Sequence, residues 1–530
     1  MILSAKWWQA AILLSLLIGL TLAGGWAASQ GAHVNIDVQL QMQARLDYLE
    51  TQINIPVNST ISAMVKTASY IISTHGSYVC LINGSDDRAG RLEYYSTNAT
   101  LIANAVYGNM TQGGTVVWRS GTYTFDGFLI PIVYSGIHTV SEGWSTIFNI
   151  TATGGFNISA SSMLNDISFE NIYWIDAGGS GTAVANYGIT SAMPATMRLS
   201  HFKFTGNRVD YFRKAGTIFL NLTNAEVNTI SNNFFYHTTT AFIQFISNFY
   251  QCGNNKLYDN VFYGGYDANY ENAIRITKNA GNSTENSSVG EIYSWGNQWY
   301  GQHYDYGGTF YAWNMTELGI YGATGGIYSS GDRYENTAVL SSNGYSSAHL
   351  CIGGIFSDNR IENMNATVVF DLGNNTKLTE VCNNQIDVVA GTTFYSENYT
   401  TDYRPNSVHD NIFASHSASV YINATSYTRV YNNINYNPIG YIANWKALGS
   451  RVSPYQGYAS TFTNGTTYRV STTPCHFNVT GGTGINITVS DYDGNAFING
   501  ATSLYWFYMP IDFKITCVYA TSPTAVVIFD

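Results

Sequence analysis

The feature that most constrains this chain is a degenerate repeat: Asn or Asp followed two positions later by an aromatic or aliphatic residue. It recurs as Asn171/Tyr173, Asn233/Phe235, Asn260/Phe262, Asn297/Trp299, Asp332/Tyr334, Asn359/Ile361, Asn384/Ile386 and Asn411/Phe413, with a looser copy at Asn433. From Asn233 the copies are separated by 27, 37, 35, 27, 25, 27 and 22 residues, and the wider gap before it holds two turns if Ser200 to Phe204 supplies the missing copy. Such a period suits solenoid coils of three short strands, each burying its inward residues only by stacking on its neighbours. Residues two apart share a strand face, so Asn and its partner both point inward. Stacked amides can then hydrogen-bond along the axis while stacked rings fill the core. Ten coils at strand spacing make a rod of about 50 Å.

Composition narrows the setting. Only 11% of the 530 residues are charged, against about a quarter in an ordinary soluble domain. The 23 basic and 34 acidic residues give a net charge of -11, which leaves no basic footprint for nucleic acid. An aromatic content of 15% argues against disorder. Hydration must come from elsewhere, and sequons offer it at Asn58, Asn83, Asn98, Asn109, Asn149, Asn157, Asn221, Asn282, Asn286, Asn314, Asn365, Asn374, Asn398, Asn423, Asn464, Asn478 and Asn486. A chain rich in Asn and Thr also generates sequons passively.

Residues 1–30 set the compartment. Lys6 precedes the uncharged stretch Ala10 to Ala28, which is long enough for a transmembrane anchor, while Ala27-Ala28-Ser29 equally offers a signal-peptide cleavage site. Either reading exports the remainder, to the extracellular face of the membrane or into the medium. Over residues 31–92, Leu46, Leu49 and Ile53, then Ile61, Met64, Val65, Ala68 and Ile71, recur at helical spacing around Pro56, predicting a helical stalk or linker. Six cysteines suit an oxidising compartment. Cys475 with Cys517 is the first expected disulfide and Cys351 with Cys382 the second. No Cys-X-X-Cys unit occurs, and the ten His lack ligand spacing, so no metal site is expected.

Residues 93–452 carry the solenoid. They open with a short amphipathic helix (Leu101, Ile102, Ala105, Val106), then Gly113-Gly114-Thr115-Val116-Val117-Trp118, Gly121-Thr122-Tyr123 and Glu142-Gly143-Trp144-Ser145-Thr146-Ile147. This succession resembles the entry cap and first coils of pectin-lyase-like right-handed parallel β-helix proteins, most of all exported archaeal surface proteins; viral tail spikes share the architecture. Residues 453–530 alternate (Phe477/Val479, Ile485/Ile487/Val489, Phe513/Ile515) and predict a small antiparallel sandwich, whose end resembles C-terminal modules of archaeal surface proteins and viral fibres. The expected fold is therefore all-β: a right-handed parallel β-helix with a short helical N-terminal anchor or stalk and a C-terminal antiparallel β-sandwich.

One polar pattern exceeds the background. Asp332-Arg333-Tyr334-Glu335-Asn336 aligns with Asn359-Arg360-Ile361-Glu362-Asn363, flanked by Gln298 and Tyr300 before and Gln385 and Asp387 after. If the ladder residues point inward, Glu335, Glu362 and Asp387 form an outward carboxylate ladder at about 5 Å per step. That matches the separation of about 5–5.5 Å in retaining glycosidases, making these three the candidate catalytic residues, with Gln298, Tyr300, Arg333, Arg360 and Gln385 as candidate substrate contacts. The competing account is cross-strand ion pairing that needs no substrate. The resemblance implies calcium with an Arg or Lys base for a lyase, or paired Asp with Gly-His-Gly for a hydrolase. There is no Gly-His-Gly, and neither set maps here residue by residue. Further clusters, Asp267/Glu271/Arg275/Lys278 and His303/Asp305, fall in the longest coils. The expected function is adhesion or glycan binding by an exported, membrane-tethered glycoprotein, with polysaccharides or glycoprotein glycans as partners and a homotrimer possible. The alternatives are a polysaccharide lyase or glycoside hydrolase, and a virion attachment spike.

Overall fold

The structure, a computed structural model, describes residues 68–529 apart from intervening segments, the longest being 177–186, 265–271, 279–290, 302–309, 316–325, 343–350 and 398–405. The anchor or signal, residues 31–67, and the clusters at Asp267, Glu271, His303 and Asp305 lie outside the described residues. Among those described, no helix is long and apolar enough to cross a membrane.

The chain winds as a parallel β-helix. Each coil gives one strand to each of three long parallel sheets. Ile327–Ser330 lies in the first sheet, Arg333–Glu335 in the second and Ala338–Ser342 in the third; Cys351–Ser357 then begins the next coil beside Ile327–Ser330. A right-handed winding is what strand twist dictates for parallel crossovers.

The corner between the first and second sheets explains the repeat. Asn171, Gly206, Asn232, Asp259, Gly296, Gly331, Asp358, Asn383, Asp410 and Asn432 all have φ between 51° and 69°. Only Gly, Asn and Asp visit this left-handed region readily. The next residue in nine of these coils begins a continuous hydrogen-bonded ladder: Asn207, Asn233, Asn260, Asn297, Asp332, Asn359, Asn384, Asn411 and Asn433. From Asn233 on, each of the eight side-chain oxygens accepts the backbone N–H of the ladder residue one coil earlier, at 2.7–3.1 Å, and the Asn207 oxygen accepts the N–H of Ile172 at 3.0 Å. All nine are buried. Water cannot reach the amides, so the coil above must satisfy them.

Two details of the repeat need correction. Asn171 is a corner residue and Tyr173 points outward; its coil buries Trp174 instead. The missing copy is Asn207/Val209, with Ser200 to Phe204 lying earlier in the same coil. The inward stack is otherwise as expected, with Phe235, Phe262, Trp299 and Tyr334 parallel to within 9° at ring separations of 4.3–5.7 Å.

Ala99–Asn109 closes the N-terminal end, capped by Asn98, whose side chain accepts from the N–H of Thr100 and Leu101. Its buried face is Ile102, Ala103, Val106 and Tyr107, and Leu101 is exposed. Tyr107 reaches the core edge against Phe156 and bonds Thr139. The expected helical stalk does not extend to residue 92: Tyr70–His75, Tyr78–Asn83 and Arg91–Ser96 are antiparallel strands that continue the first sheet. Ile71, assigned to a helix by spacing, lies in the first of them, since a short β-branched run fits either period until its partners are known.

The C-terminal part forms two sheets, antiparallel except for one short parallel pairing, with Val479, Ile487, Val489 and Ile515 buried. Both disulfide expectations fail, because Cys382 and Cys517 are free thiols. In the second pair, Cys351 is opposite Thr376, six residues before Cys382 on that strand; about 20 Å of strand separates them, far beyond disulfide reach.

The sequons divide by exposure. Asn109, Asn423, Asn464 and Asn486 are exposed; Asn83, Asn98, Asn149, Asn157 and Asn221 are half-buried. The amide nitrogen of buried Asn314, the atom a glycan would take, donates to Asn272, so this sequon is closed in the folded chain. Asn58, Asn282, Asn286, Asn365, Asn374, Asn398 and the Asn478 side chain lie outside the description.

Candidate functional site

The charged ladder forms on the second sheet in the expected register. Gln298, Arg333, Arg360 and Gln385 are successive neighbours in one column, and Tyr300, Glu335, Glu362 and Asp387 in the next. Glu335 and Glu362 are not left open. Arg333 donates to Glu335 at 3.0 Å and to Glu362 at 3.1 Å, and Arg360 also pairs with Glu362. Tyr300 donates to Gln298 at 2.7 Å. Burial works against the Arg333 charge, but the bond and attraction of Glu362, helped by Tyr300 and Glu335, hold its pKa above the ordinary value. With the Arg333 side chain 42% exposed, screening leaves such pairs worth at most about 1 kcal/mol. Arg333→Ala is accordingly expected to lower unfolding stability by less than about 1 kcal/mol in urea titration.

A second site, which the sequence reading missed, lies on the outer face of the first sheet. Four and two positions before each ladder residue stand two outward columns. One runs Lys256, Tyr293, Tyr328, Ile355, Glu380, Ser407; the other runs Tyr258, Trp295, Ser330, Ser357, Cys382, His409. Tyr258 stacks on Trp295 at 4.7 Å and 9°, and Tyr293 on Tyr328 at 5.2 Å and 16°. The second column then drops from Trp295 to two serines, leaving an open groove of about 490 Å³. Trp295 stands at one end, Ser330 and Ser357 form the floor, and Tyr328 and Ile355 form the side. Trp295 is 39% exposed and Ile355 36%. Burial, then Tyr293 and Glu291, push the Tyr328 phenol pKa up, so it stays a neutral donor.

An apolar aromatic face rimmed by hydroxyls and one lysine, Lys256, suits a flat, polyhydroxylated ligand, which presents C–H faces to rings and hydroxyls to the rim. The signal for it was in the sequence: reading each repeat four residues upstream gives Lys-Leu-Tyr, Tyr-Ser-Trp and Tyr-Ser-Ser in succession.

No protein-family model matches this chain, and no curated protein matches it. Among solved structures, it is similar to the tailspike protein of Escherichia coli bacteriophage HK620 in complex with a pentasaccharide, at 9% identity and a TM-score of 0.38, covering 82% of this chain and 90% of that one. It is also similar to the A-module of the mannuronan C-5 epimerase of Azotobacter vinelandii, at 12% identity and a TM-score of 0.36, covering 65% of this chain and 94% of that one.

Proposed function

We propose that this chain is a carbohydrate-binding β-helix protein whose ligand lies in the Trp295/Tyr328 groove. The observation that carries the reading is the pair of stacked aromatic columns ending over a serine floor. Its ligand is a polysaccharide or a glycoprotein glycan, and the scarcity of charge together with the exposed sequons supports display outside the cell on an N-terminal anchor. Calorimetric titration with a panel of neutral and acidic oligosaccharides tests this. Trp295→Ala and Tyr328→Ala should each weaken the best ligand at least about tenfold, in keeping with aromatic contacts worth about 0.5–1.5 kcal/mol beyond area burial. Unchanged affinity in both variants would remove the groove from the account.

A second reading, a polysaccharide lyase or glycoside hydrolase, is favoured by the three carboxylates on consecutive rungs of the second sheet. Glu335→Gln and Glu362→Gln should then abolish formation of new reducing ends or unsaturated uronate while leaving groove binding intact. A protein that binds but cleaves nothing on the panel supports recognition alone.

A further inference from the structure

The same two outward columns continue past the groove into a different chemistry. On the next coils the residues are Glu380 and Cys382, then Ser407 and His409. Cys382 lies directly opposite His409, and Glu380 is on the same face two residues earlier. One ligand atom from each of the three, the Cys382 sulfur among them, falls within 4.8 Å of the other two. His409 Nε2 is 2.9 Å from Glu380 Oε1, and its Nδ1 is 2.7 Å from Asp410 Oδ2.

We propose that Glu380, Cys382 and His409 bind a zinc-like divalent transition-metal cation at the C-terminal end of the groove. Three observations converge. The donor set is S, N and O from three side chains, the composition of zinc sites that keep a fourth tetrahedral position open for water or a ligand. The three donor atoms lie within 4.8 Å of one another, and bonds of about 2.3 Å to sulfur and about 2.0–2.2 Å to nitrogen and oxygen ask them to draw closer together on loading. Asp410 holds the far ring nitrogen, and a carboxylate in that position orients a metal-binding imidazole and raises its basicity.

Two of the three donors are enclosed, while the Glu380 side chain is 40% exposed. The His409 side chain is 12% exposed and Cys382 5%. The thiol selects zinc, cobalt or copper over calcium and magnesium, which prefer all-oxygen sites. On loading, Cys382 releases its thiol proton to solvent and ligates as thiolate. His409 turns its Nε2 lone pair to the metal while Nδ1 keeps its proton on Asp410, and Glu380 exchanges its contact with His409 for the metal.

The test uses the chelator-treated, reduced full chain titrated with Zn²⁺, with Co²⁺ as spectroscopic probe and Ca²⁺ as control. The expected result is saturable binding of one Zn²⁺ per chain, a near-ultraviolet thiolate-to-cobalt charge-transfer band, and protection of Cys382 from iodoacetamide by Zn²⁺ but not by Ca²⁺. Cys382→Ser should weaken binding at least tenfold and abolish the band, and His409→Ala should weaken binding at least tenfold while the band still forms at saturating Co²⁺. Absence of a thiolate band in the wild-type chain, or zinc affinity unchanged in Cys382→Ser, would overturn the proposal. If either variant fails to fold, the charge-transfer band and the mapped protection of Cys382 in the wild-type protein still decide it. None of these readouts depends on carbohydrate binding, so failure of the groove reading is separable from failure of this one.

Discussion

Replacing Asn260 by Leu is expected to destabilise the β-helix by about 3–6 kcal/mol, a cost set by the partners it leaves behind. The Asn260 oxygen accepts the backbone N–H of Asn233 at 3.1 Å and its amide at 2.9 Å, while the Asn260 amide donates to Ile230 O and to Asn297, both at 2.9 Å. Leucine fits the size but serves none of these. At least two buried donors lose their acceptor, at about 1–3 kcal/mol each, and the Ile230 carbonyl loses a donor. Because each coil is stabilised only through its neighbours, the defect weakens the coils on both sides. A shift of the urea midpoint by that amount, against a small effect for Arg333→Ala, would confirm that the ladder and not the surface charge holds the stack. A shift below about 1 kcal/mol would mean that the buried groups find other partners.

The second large effect concerns Asp332, the one acid in the ladder. It is fully buried and accepts from the Asn297 N–H and amide and from the hydroxyls of Ser294 and Ser329. Burial outweighs these donations and pushes its pKa up to about 6. Because the folded value lies above the unfolded one near 3.9, the folded chain holds this proton more tightly than the unfolded chain does. Its stabilising contribution is complete below about pH 4 and is lost as pH rises through about 6. Two pH units correspond to about 3 kcal/mol. Asp332→Asn keeps the oxygen that Asn297 needs, and Ser294 and Ser329 can turn to accept from the new amide. This variant is expected to match the wild type near pH 4 and to exceed it by up to about 3 kcal/mol at pH 8, read as the difference between their melting profiles across pH. Parallel profiles would show that Asp332 ionises without penalty.

How much was legible beforehand follows from what each residue type must do. The ladder residues from Asn233 to Asn433 could be read directly, because a buried amide must find a partner at the same height in every coil and so recurs with the coil. The first copy was misplaced by one residue because the αL corner and the ladder both favour Asn, and at Asn171-Ile172 only the corner has it. The charged ladder was found because it flanks the inward residues directly. Its ion pairs were not resolved, since rotamers decide whether Glu362 faces Arg333, Arg360 or solvent.

The sequence by itself determined the coil, its inward face, the alternating C-terminal sheets and the outward register of Arg333, Glu335, Arg360 and Glu362. All of these rest on short-range periodicity imposed by burial. Only the tertiary structure decided what the first sheet presents to solvent. Tyr293 and Tyr328 are 35 residues apart and Cys382 and His409 are 27 apart, yet each pair is adjacent because parallel stacking places residues one coil apart side by side. Outward residues have no common partner to satisfy, so nothing forces them to repeat. The groove residues stand at a fixed offset from the ladder, four and two positions upstream, but their chemistry changes from coil to coil, so that they and the Glu380/Cys382/His409 cluster form one surface emerges only once the strands are set in register.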